Sequence, residues 1–372
     1  MKIGIDIRST LKQKTGIGYY TLNLINGLAK VDPENLYFLY SHMRLFDFKK
    51  RLPDVPAPNF KHRTDRLSFR PDLKMNDMDT FHSSSYDMPK FKSAKLITTI
   101  HDIIPLVYPE GYPSEVLNKL EHNIKKVLNE SALIITDSNN TKKDLTARFG
   151  PKNRIDVIYP GRDESLAPID NKKKASDYLK NKYGIEKEFI LFVGTIEKRK
   201  NVAGLIEAFL DLKTKKKIPH LLVIVGMRGW GGDAAFRLAS NSNLKNEIIF
   251  TGYVTRKDLE SFYNIASAFV YPSFYEGFGF PIIEAFSFGV PVVTADTTSC
   301  GEIAGDAALI VNPEDKDALR EAILKVIDDD NYKKKLIEKG FARLNLFSWK
   351  KTAEQFKKIF YEIGGQNESK KN

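Results

Sequence analysis

Two glutamates, Glu276 and Glu284, with seven residues between them, are the side chains best placed to do chemistry. Gly277 and Gly279 follow the first glutamate, and Pro281 opens the apolar segment that contains the second. Proline just inside the start and glycine just past the end are typical of a short helix, so the stretch predicts strand, glycine loop and helix. Uncrowded loop N–H groups and the positive end of the helix dipole favour an anionic or polyhydroxylated ligand.

Two cations, Arg199 and Lys200, also lie in a loop between a predicted strand and a predicted helix, earlier in the second half of the chain. They follow the apolar strand predicted over residues 189–193 and precede a helix that is predicted to end at residue 212. Cations beside the free N–H groups of a helix start can neutralise a diphosphate. The alternative is a pair of solvated surface cations.

The first half of the chain contributes a glycine pair and a histidine. Gly16, Ile17 and Gly18 lie between a strand predicted over residues 2–7 and a helix over 21–30, which suits either a phosphate-binding turn or a tight structural turn. His101 ends the strand predicted over 95–100, where open α/β sheets place ligands and where an imidazole can exchange a proton near neutral pH. The alternative for His101 is a hydrogen-bonded core histidine; His82 is a further, weaker candidate.

Strands and helices alternate in both halves, which predicts the α/β class with one doubly wound parallel sheet in each half. Ligands should lie beyond the carboxyl ends of the strands, in a cleft between the two sheets. Residues 43–75 are predicted to be irregular, and residues 296–301 to be an exit loop. Basic residues alternate in 43–75 with Phe46, Phe48, Phe60 and Phe69, which suits either contact with a membrane surface or a solvated region.

The composition excludes several classes of protein. The 372 residues carry a net charge of +11, which is divided between both halves without a basic helical stripe, so we expect no nucleic-acid partner. A basic surface suits an anionic membrane or a phosphorylated substrate. The single cysteine, Cys300, excludes an internal disulfide, and we expect neither a signal peptide nor a membrane-spanning helix.

These motifs resemble those of retaining glycosyltransferase family four, the group 1 glycosyltransferases, over nearly the whole chain. The resemblance implies the GT-B fold, with residues 1–165 as acceptor-binding domain, 166–348 as nucleotide-sugar-binding domain, and 349–372 as a helix that returns to the first domain. It implies a nucleotide-diphosphate sugar as donor, and neither metal nor other cofactor.

The resemblance also implies roles for individual residues. Glu276 and the following loop hold the donor sugar, Glu284 binds the ribose, Arg199 and Lys200 bind the diphosphate, and His101 lies near the donor sugar. The chain departs from the family at Thr195, where an arginine often follows the glycine. The remaining implied donor-binding residues come from four loops: Gly16, Ile17, Gly18, Gly226, Val254, Gly277, Phe278, Gly279 and Phe280.

The segments TGIGYY, HDIIPL and GTIEKRKN look most like those of bacterial mannosyltransferases of O-antigen or capsular polysaccharide assembly. This implies GDP-mannose as donor, a glycan or polyprenyl-diphosphate-linked acceptor, and a cytoplasmic location with peripheral contact to the inner face of the membrane. UDP-glucose, UDP-galactose and an N-acetylhexosamine donor are alternatives. Two other classes stay open, a nucleotide-sugar epimerase and a non-catalytic binding module.

Overall fold

Two parallel β-sheets organise residues 1–11, 16–43, 51–66, 70–88 and 90–365, which the computed structural model of the protein describes. The chain divides into two units. Unit 1 consists of Met1–Gly161 with Phe347–Asn372, and unit 2 of Arg162–Leu346.

The sheet of unit 1 has the strand order β3-β2-β1-β4-β5-β6-β7, and all of its pairings are parallel. Apolar and β-branched residues dominate its central strands, as expected for a sheet that is buried on both faces. The strands are β1 Lys2–Asp6, β2 Leu36–His42, β3 Phe60–Asp65, β4 Thr80–Ser83, β5 Lys95–Ile100, β6 Leu133–Thr136 and β7 Ile155–Val157.

The sheet of unit 2 has the order β10-β9-β8-β11-β12-β13, again with parallel pairings throughout. Its strands are β8 Phe189–Val193, β9 Leu221–Val225, β10 Ile248–Gly252, β11 Ala268–Tyr271, β12 Val292–Ala295 and β13 Ala308–Val311. This confirms the predicted fold class of two parallel-sheet α/β domains.

Helices connect most of the strands, as is usual between parallel strands. They are α1 Gly16–Val31, α2 Pro71–Lys74, α3 Ile104–Val107, α4 Ser114–Glu130, α5 Asn139–Phe149, α6 Lys172–Tyr183, α7 Val202–Asp211, α8 Asp233–Asn241, α9 Arg256–Ile265, α10 Phe280–Ser287, α11 Thr298–Ala304, α12 Lys316–Asp328, α13 Asp330–Arg343 and α14 Trp349–Gly365. Among the described helices, none combines the length and the apolarity that crossing a membrane requires.

The last helix, α14, belongs to the core of unit 1. Phe356 and Phe360 on α14 are buried in one cluster with Leu24 and Leu28 of α1. Close contact depends on a missing side chain at Gly161, where a Cβ atom would lie 2.2 Å from the backbone nitrogen of Trp349. The amphipathic sequence of α14 thus covers the apolar face of α1.

Three local predictions are wrong. Residues 43–75 contain strand β3, which pairs with β2; the polar run from Lys61 to Arg63 along this edge strand hides it in the sequence. Residues 296–301 are largely helical because α11 begins at Thr298. Helix α1 begins at Gly16, five residues before the predicted start. Of the four phenylalanines in 43–75, Phe60 is buried in unit 1, while Phe46, Phe48 and Phe69 lie outside the described residues.

Candidate active site

The loop after β11 brings Glu276 into direct contact with both predicted cations. Its Oε1 atom accepts hydrogen bonds from Lys200 Nζ at 2.7 Å and from the Tyr271 hydroxyl at 2.8 Å. Its Oε2 atom lies 3.0 Å from a terminal guanidinium nitrogen of Arg199. Only 7% of the Glu276 surface is exposed. The structure therefore joins the three residues in one buried ion-pair cluster, although the family resemblance assigned them to different parts of the donor.

The electrostatics of this cluster favour its charged form. Burial alone would raise the pKa of Glu276, but Lys200 and Arg199 outweigh it and hold that pKa below its ordinary value. Burial, and then the Glu276 carboxylate, raise the pKa of the Tyr271 hydroxyl well above its ordinary value. Tyr271 is therefore a neutral hydrogen-bond donor to a carboxylate that stays ionised.

The backbone around the two cations is itself held in place. Arg199 donates to the carbonyl of Tyr275 at 2.9 Å, and the Phe274 N–H donates to the Arg199 carbonyl at 2.8 Å. The Arg199 Nε atom also pairs with Glu197 Oε2 at 2.9 Å. Directly after the cations, Asn201 caps α7, its side chain accepting from the Gly204 N–H at 3.2 Å. The loop before α7 and the loop after β11 are thus bound to each other.

Helix α11, which the sequence did not reveal, supports the Glu276 loop from the other side. The Thr298 hydroxyl accepts from the Glu276 N–H at 3.1 Å, and the Ser299 hydroxyl donates to the Glu276 carbonyl at 2.9 Å. Thr298 has a φ of +54°, a left-handed conformation that is strained for a β-branched residue. This backbone places its hydroxyl against the loop.

The glycine loop continues directly into α10. Gly279 has a φ of +107°, which favours glycine, and it immediately precedes the first residue of α10, Phe280. Phe278 is buried, and the centre of its ring lies 4.9 Å from the ring centre of the more exposed Phe280. Gly277 lies between Glu276 and this aromatic pair. The predicted order of strand, glycine loop and helix is confirmed.

Glu284 lies on α10 and makes a different set of contacts from Glu276. Its Oε2 atom accepts a hydrogen bond of 3.0 Å from the Tyr263 hydroxyl, and burial raises its pKa. The Tyr263 ring stacks on Phe288 with 5.4 Å between the ring centres, which fixes the hydroxyl. The donor from Tyr263 thus holds one carboxylate oxygen of Glu284.

Gly226 has a structural reason to be glycine. It follows β9 with a φ of +148°, and its N–H donates to the Gly252 carbonyl at 3.1 Å. A Cβ atom here would lie 2.0 Å from the carbonyl oxygen of Gly194, so no other residue fits. Val254, in the loop after β10, is half-buried and precedes Thr255, the N-cap residue of α9.

In unit 1 the predicted histidine is paired with an aspartate. His101 Nδ1 and Asp137 Oδ2 lie 2.5 Å apart, and both side chains are largely buried. His82 is instead part of the sheet: its Nε2 atom lies 2.8 Å from the Thr99 hydroxyl, and burial lowers its pKa to about 3. His82 is therefore packed within the sheet, and its weaker candidacy as a ligand-lining residue stays a prediction.

The glycine pair of unit 1 belongs to the first turn of α1. Gly16 has open space where a Cβ atom would lie, Ile17 is 36% exposed, and Gly18 is buried. The Ile17 carbonyl accepts from the Thr21 hydroxyl at 2.9 Å. The pair therefore lies at a helix N-terminus and not in a turn that precedes it, while residues 12–15 lie outside the described chain.

The site thus holds contacts that the sequence did not predict. Tyr271 and Tyr263 were hidden because an aromatic residue in a strand or helix is normally core. Asp137 had a usable signal, since it follows β6 directly and β6 is the neighbour of β5, which His101 follows. Within the described residues, no group of three or more His, Cys, Asp or Glu side chains is placed to hold a metal ion.

Comparison with known proteins gives the family. Residues 14–166 match the profile of Glycosyltransferase Family 4, and residues 176–343 match that of Glycosyl transferases group 1. O-antigen chain mannosyltransferase B of Escherichia coli is 31% identical over 367 residues, which cover 92% of this chain and 94% of that protein. The chain belongs to glycosyltransferase family four. O-antigen chain mannosyltransferase RfbU of Salmonella typhimurium is 25% identical over 334 residues, which cover 85% of this family-four chain and 88% of that protein.

Solved structures give the fold of this family-four glycosyltransferase. Sucrose-phosphate synthase from Thermosynechococcus elongatus matches with a TM-score of 0.75 and 18% identity, over 98% of this chain and 100% of that chain. WaaG, a glycosyltransferase involved in lipopolysaccharide biosynthesis, matches with a TM-score of 0.68 and 15% identity, over 94% and 98%. Together with the two parallel sheets, these neighbours identify the GT-B fold.

Proposed function

We propose that this glycosyltransferase moves mannose from GDP-mannose to a glycan acceptor, with retention of configuration and without a metal ion. The names of the mannosyltransferases of Escherichia coli and Salmonella typhimurium support the sugar. The buried cluster of Arg199, Lys200 and Glu276 is the observation that supports the chemistry, because it places two fixed cations beside a carboxylate. An acceptor linked to polyprenyl diphosphate, at the inner face of the membrane, completes the proposal.

The two cations supply the electrostatic part of the reaction. Negative charge grows on the diphosphate as the bond to the sugar breaks, and preorganised cations in a buried site stabilise that charge. Lys200 is only 7% exposed, so its charge is poorly screened by water. The N–H groups at the start of α10 and of α1, with Gly16, Ile17 and Gly18, contribute further donors. In this proposal these groups do the work that a metal ion does in other transferases.

The remaining predicted residues position the donor. Glu276 and the amides of Gly277, Phe278, Gly279 and Phe280 hold the sugar, Glu284 accepts from the ribose, and the loops of Gly226 and Val254 line the base. His101 bonds a hydroxyl of the donor sugar or assists the acceptor. Each assignment follows the family pattern at the corresponding position of this chain.

Retention is proposed to proceed by attack on the same face that the diphosphate leaves. The anomeric carbon passes through an oxocarbenium-like state, and a phosphate oxygen takes the proton of the acceptor hydroxyl as the new bond forms. Both carboxylate oxygens of Glu276 already accept from Lys200, Tyr271 or Arg199. Glu276 is therefore a poor nucleophile, and we expect no covalent glycosyl intermediate on it.

Binding calorimetry in the presence of EDTA tests the donor. We expect GDP to bind at least tenfold more tightly than UDP, ADP or dTDP, and GDP-mannose to release GDP only when an acceptor is present. Preferred binding of UDP would move the donor to a UDP-sugar. Conversion of the nucleotide sugar to an isomer without any acceptor would indicate an epimerase, and binding without turnover would indicate a binding module.

Tyr263→Phe tests the role of Glu284. The substitution keeps the stacked ring but removes the hydrogen bond to Oε2, so burial raises the pKa of Glu284 further and the carboxylate becomes a weaker acceptor. We expect the Kd for the nucleoside diphosphate to rise about tenfold, which corresponds to the roughly 1.5 kcal/mol of one hydrogen bond to a charged group. Affinity for pyrophosphate, which lacks the ribose, should not change. An equal loss for both ligands would contradict the assignment.

A further inference from the structure

The pairing of β5 with β6 brings together two residues at the edge of the unit 1 sheet. Ile100 is the register partner of Thr136, so the residues that follow, His101 and Asp137, emerge side by side. They meet at 2.5 Å between His101 Nδ1 and Asp137 Oδ2. The contact is thus set by the sheet and not by chance rotamers on a flexible surface.

Two further contacts hold His101, one at its backbone carbonyl and one at its ring. The Thr141 hydroxyl, on α5, donates to the His101 carbonyl at 3.2 Å. The ring of Tyr20, on α1, meets the imidazole edge-on with 4.6 Å between centres. Only 4% of the Asp137 side chain is exposed, so its charge acts at short range with little screening. The imidazole therefore has little freedom to turn away from the carboxylate.

The other ring nitrogen, Nε2, is buried and finds no hydrogen-bond partner within the described part of the chain. A buried polar nitrogen without a partner is costly, which points to a ligand oxygen as its partner. When Nδ1 faces a carboxylate it carries a proton, and in the charged imidazolium Nε2 carries one too. The unpartnered atom is then a hydrogen-bond donor.

We propose that Asp137 is a positioning residue, which holds His101 as an imidazolium whose Nε2–H donates to an oxygen of the nucleotide sugar. His101 then does not act as the base that removes the acceptor proton. This inference rests on the proposed function, because it requires a donor molecule beside His101. It adds Asp137 to the site and decides between the two roles that a histidine in this place could have.

The charged and titratable groups around His101 agree with this assignment. Burial alone would lower the pKa of His101, but the Asp137 carboxylate and, more weakly, Asp102 outweigh it and raise that pKa. A charge on His82 would oppose the His101 imidazolium, but burial lowers the pKa of His82 to about 3, so it is neutral near pH 7. Tyr20 and Tyr86 also face these groups, and burial raises the pKa of both hydroxyls, so neither adds a charge near neutral pH.

The sign of the pH dependence follows. The donor form of His101 is complete at low pH and is lost as the pH rises through its raised pKa. A histidine acting as a base would show the opposite, with activity lost as the pH falls. Asp137→Asn removes the main cause of the raised pKa, so the alkaline loss of activity should move to lower pH.

The experiment is an NMR titration of the histidine ring signals of the full-length protein without ligand, with His101 assigned by its absence in His101→Gln. In Asp137→Asn we expect the His101 midpoint to fall by at least one pH unit, which corresponds to roughly 1.4 kcal/mol of lost interaction. Asp102→Asn is the matched control, since it removes a neighbouring carboxylate that is not bonded to the ring. In that variant the His101 midpoint should fall by less than in Asp137→Asn. Asp137→Glu keeps a carboxylate beside the ring, so the His101 midpoint in that variant should stay close to that of the unchanged protein.

Kinetics with GDP-mannose provide the second readout. In Asp137→Asn we expect the alkaline limb of kcat/KM to move to lower pH together with the NMR midpoint, and kcat/KM at pH 8 to fall about tenfold for a midpoint shift of one unit. An unchanged His101 midpoint in a folded Asp137→Asn protein would overturn the proposal. So would a loss of kcat/KM at low pH whose midpoint matches that of His101. A shifted midpoint together with no turnover of GDP-mannose would instead count against the proposed donor.

Discussion

Glu276→Gln will lower turnover by a factor of about 10² to 10³ and at the same time tighten the binding of the nucleoside diphosphate about tenfold. In the proposed reaction Glu276 touches the reacting sugar, and losing one preorganised group of that kind costs rates of this order. Affinity moves the other way because Arg199 and Lys200 both pair with Glu276, and a diphosphate must compete with it for them. Without that carboxylate, the net charge of the cluster rises by one. Calorimetry with GDP and initial rates with GDP-mannose measure the two effects.

Glu197→Gln is the matched control for this experiment. The Glu197 carboxylate pairs with the same cation, at 2.9 Å from Arg199 Nε, and 28% of its side chain is exposed. Glu197 meets Lys200 through the backbone, where its carbonyl accepts from the Lys200 N–H at 3.0 Å, and the substitution leaves that bond in place. We expect turnover within a factor of about three of the unchanged protein, and a smaller gain in affinity, because exposed ion pairs are worth little. Weaker diphosphate binding in Glu276→Gln would show that Glu276 does not compete for the cations.

Lys200→Met will weaken diphosphate binding about 100-fold. The Lys200 ammonium is buried, lies 2.7 Å from Glu276 Oε1 and stands 4.9 Å from the centre of the Tyr271 ring. Removing one member of a buried, hydrogen-bonded charge pair typically costs about 2–5 kcal/mol in binding. Methionine keeps most of the side-chain volume, so the loss reports the charge and not a cavity. The measurement is calorimetry with GDP in EDTA.

The same variant should also be less stable, by somewhat less than the roughly 3–5 kcal/mol seen when a buried charge loses its partner. The loss is reduced because Arg199 still faces the Glu276 carboxylate. Lys198→Met is the matched control: it changes an exposed lysine in the same short segment, and neither affinity nor the free energy of unfolding in urea should change much. Unchanged affinity in Lys200→Met would remove this lysine from the site.

The strands that the sequence predicted best are those with unbroken apolar runs. Residues 189–193 and 221–225 were predicted with their observed bounds, because central strands of parallel sheets are buried on both faces and need no alternation. Strand β3 was missed because it lies at the sheet edge, where only Phe60 and Asp65 are buried. Helix α11 was missed because threonine, serine and glycine favour it weakly, and contacts with the Glu276 loop stabilise it instead.

The sequence predicted the individual residues of the site but not the contacts between them. Glu276, Arg199 and Lys200 could be picked out from loop, helix and charge, whereas their direct pairing joins residues 76 positions apart and depends on the order of strands in the sheet. The same holds for His101 and Asp137, which belong together only once β6 is known to lie beside β5. Sequence patterns describe local elements, and such contacts depend on how the elements are ordered in space.

The place of α14 in unit 1 has a consequence for synthesis on the ribosome. The apolar face of α1 is covered by α14, yet the 185 residues of Arg162–Leu346 are translated between Gly161 and Phe347. At roughly 5–20 residues per second, that face stays open for about ten to forty seconds after the rest of the first sheet has emerged. During this interval the nascent chain presents Leu24 and Leu28 to any holdase nearby. Vectorial folding of the amino-terminal half is therefore incomplete until the last helix leaves the exit tunnel.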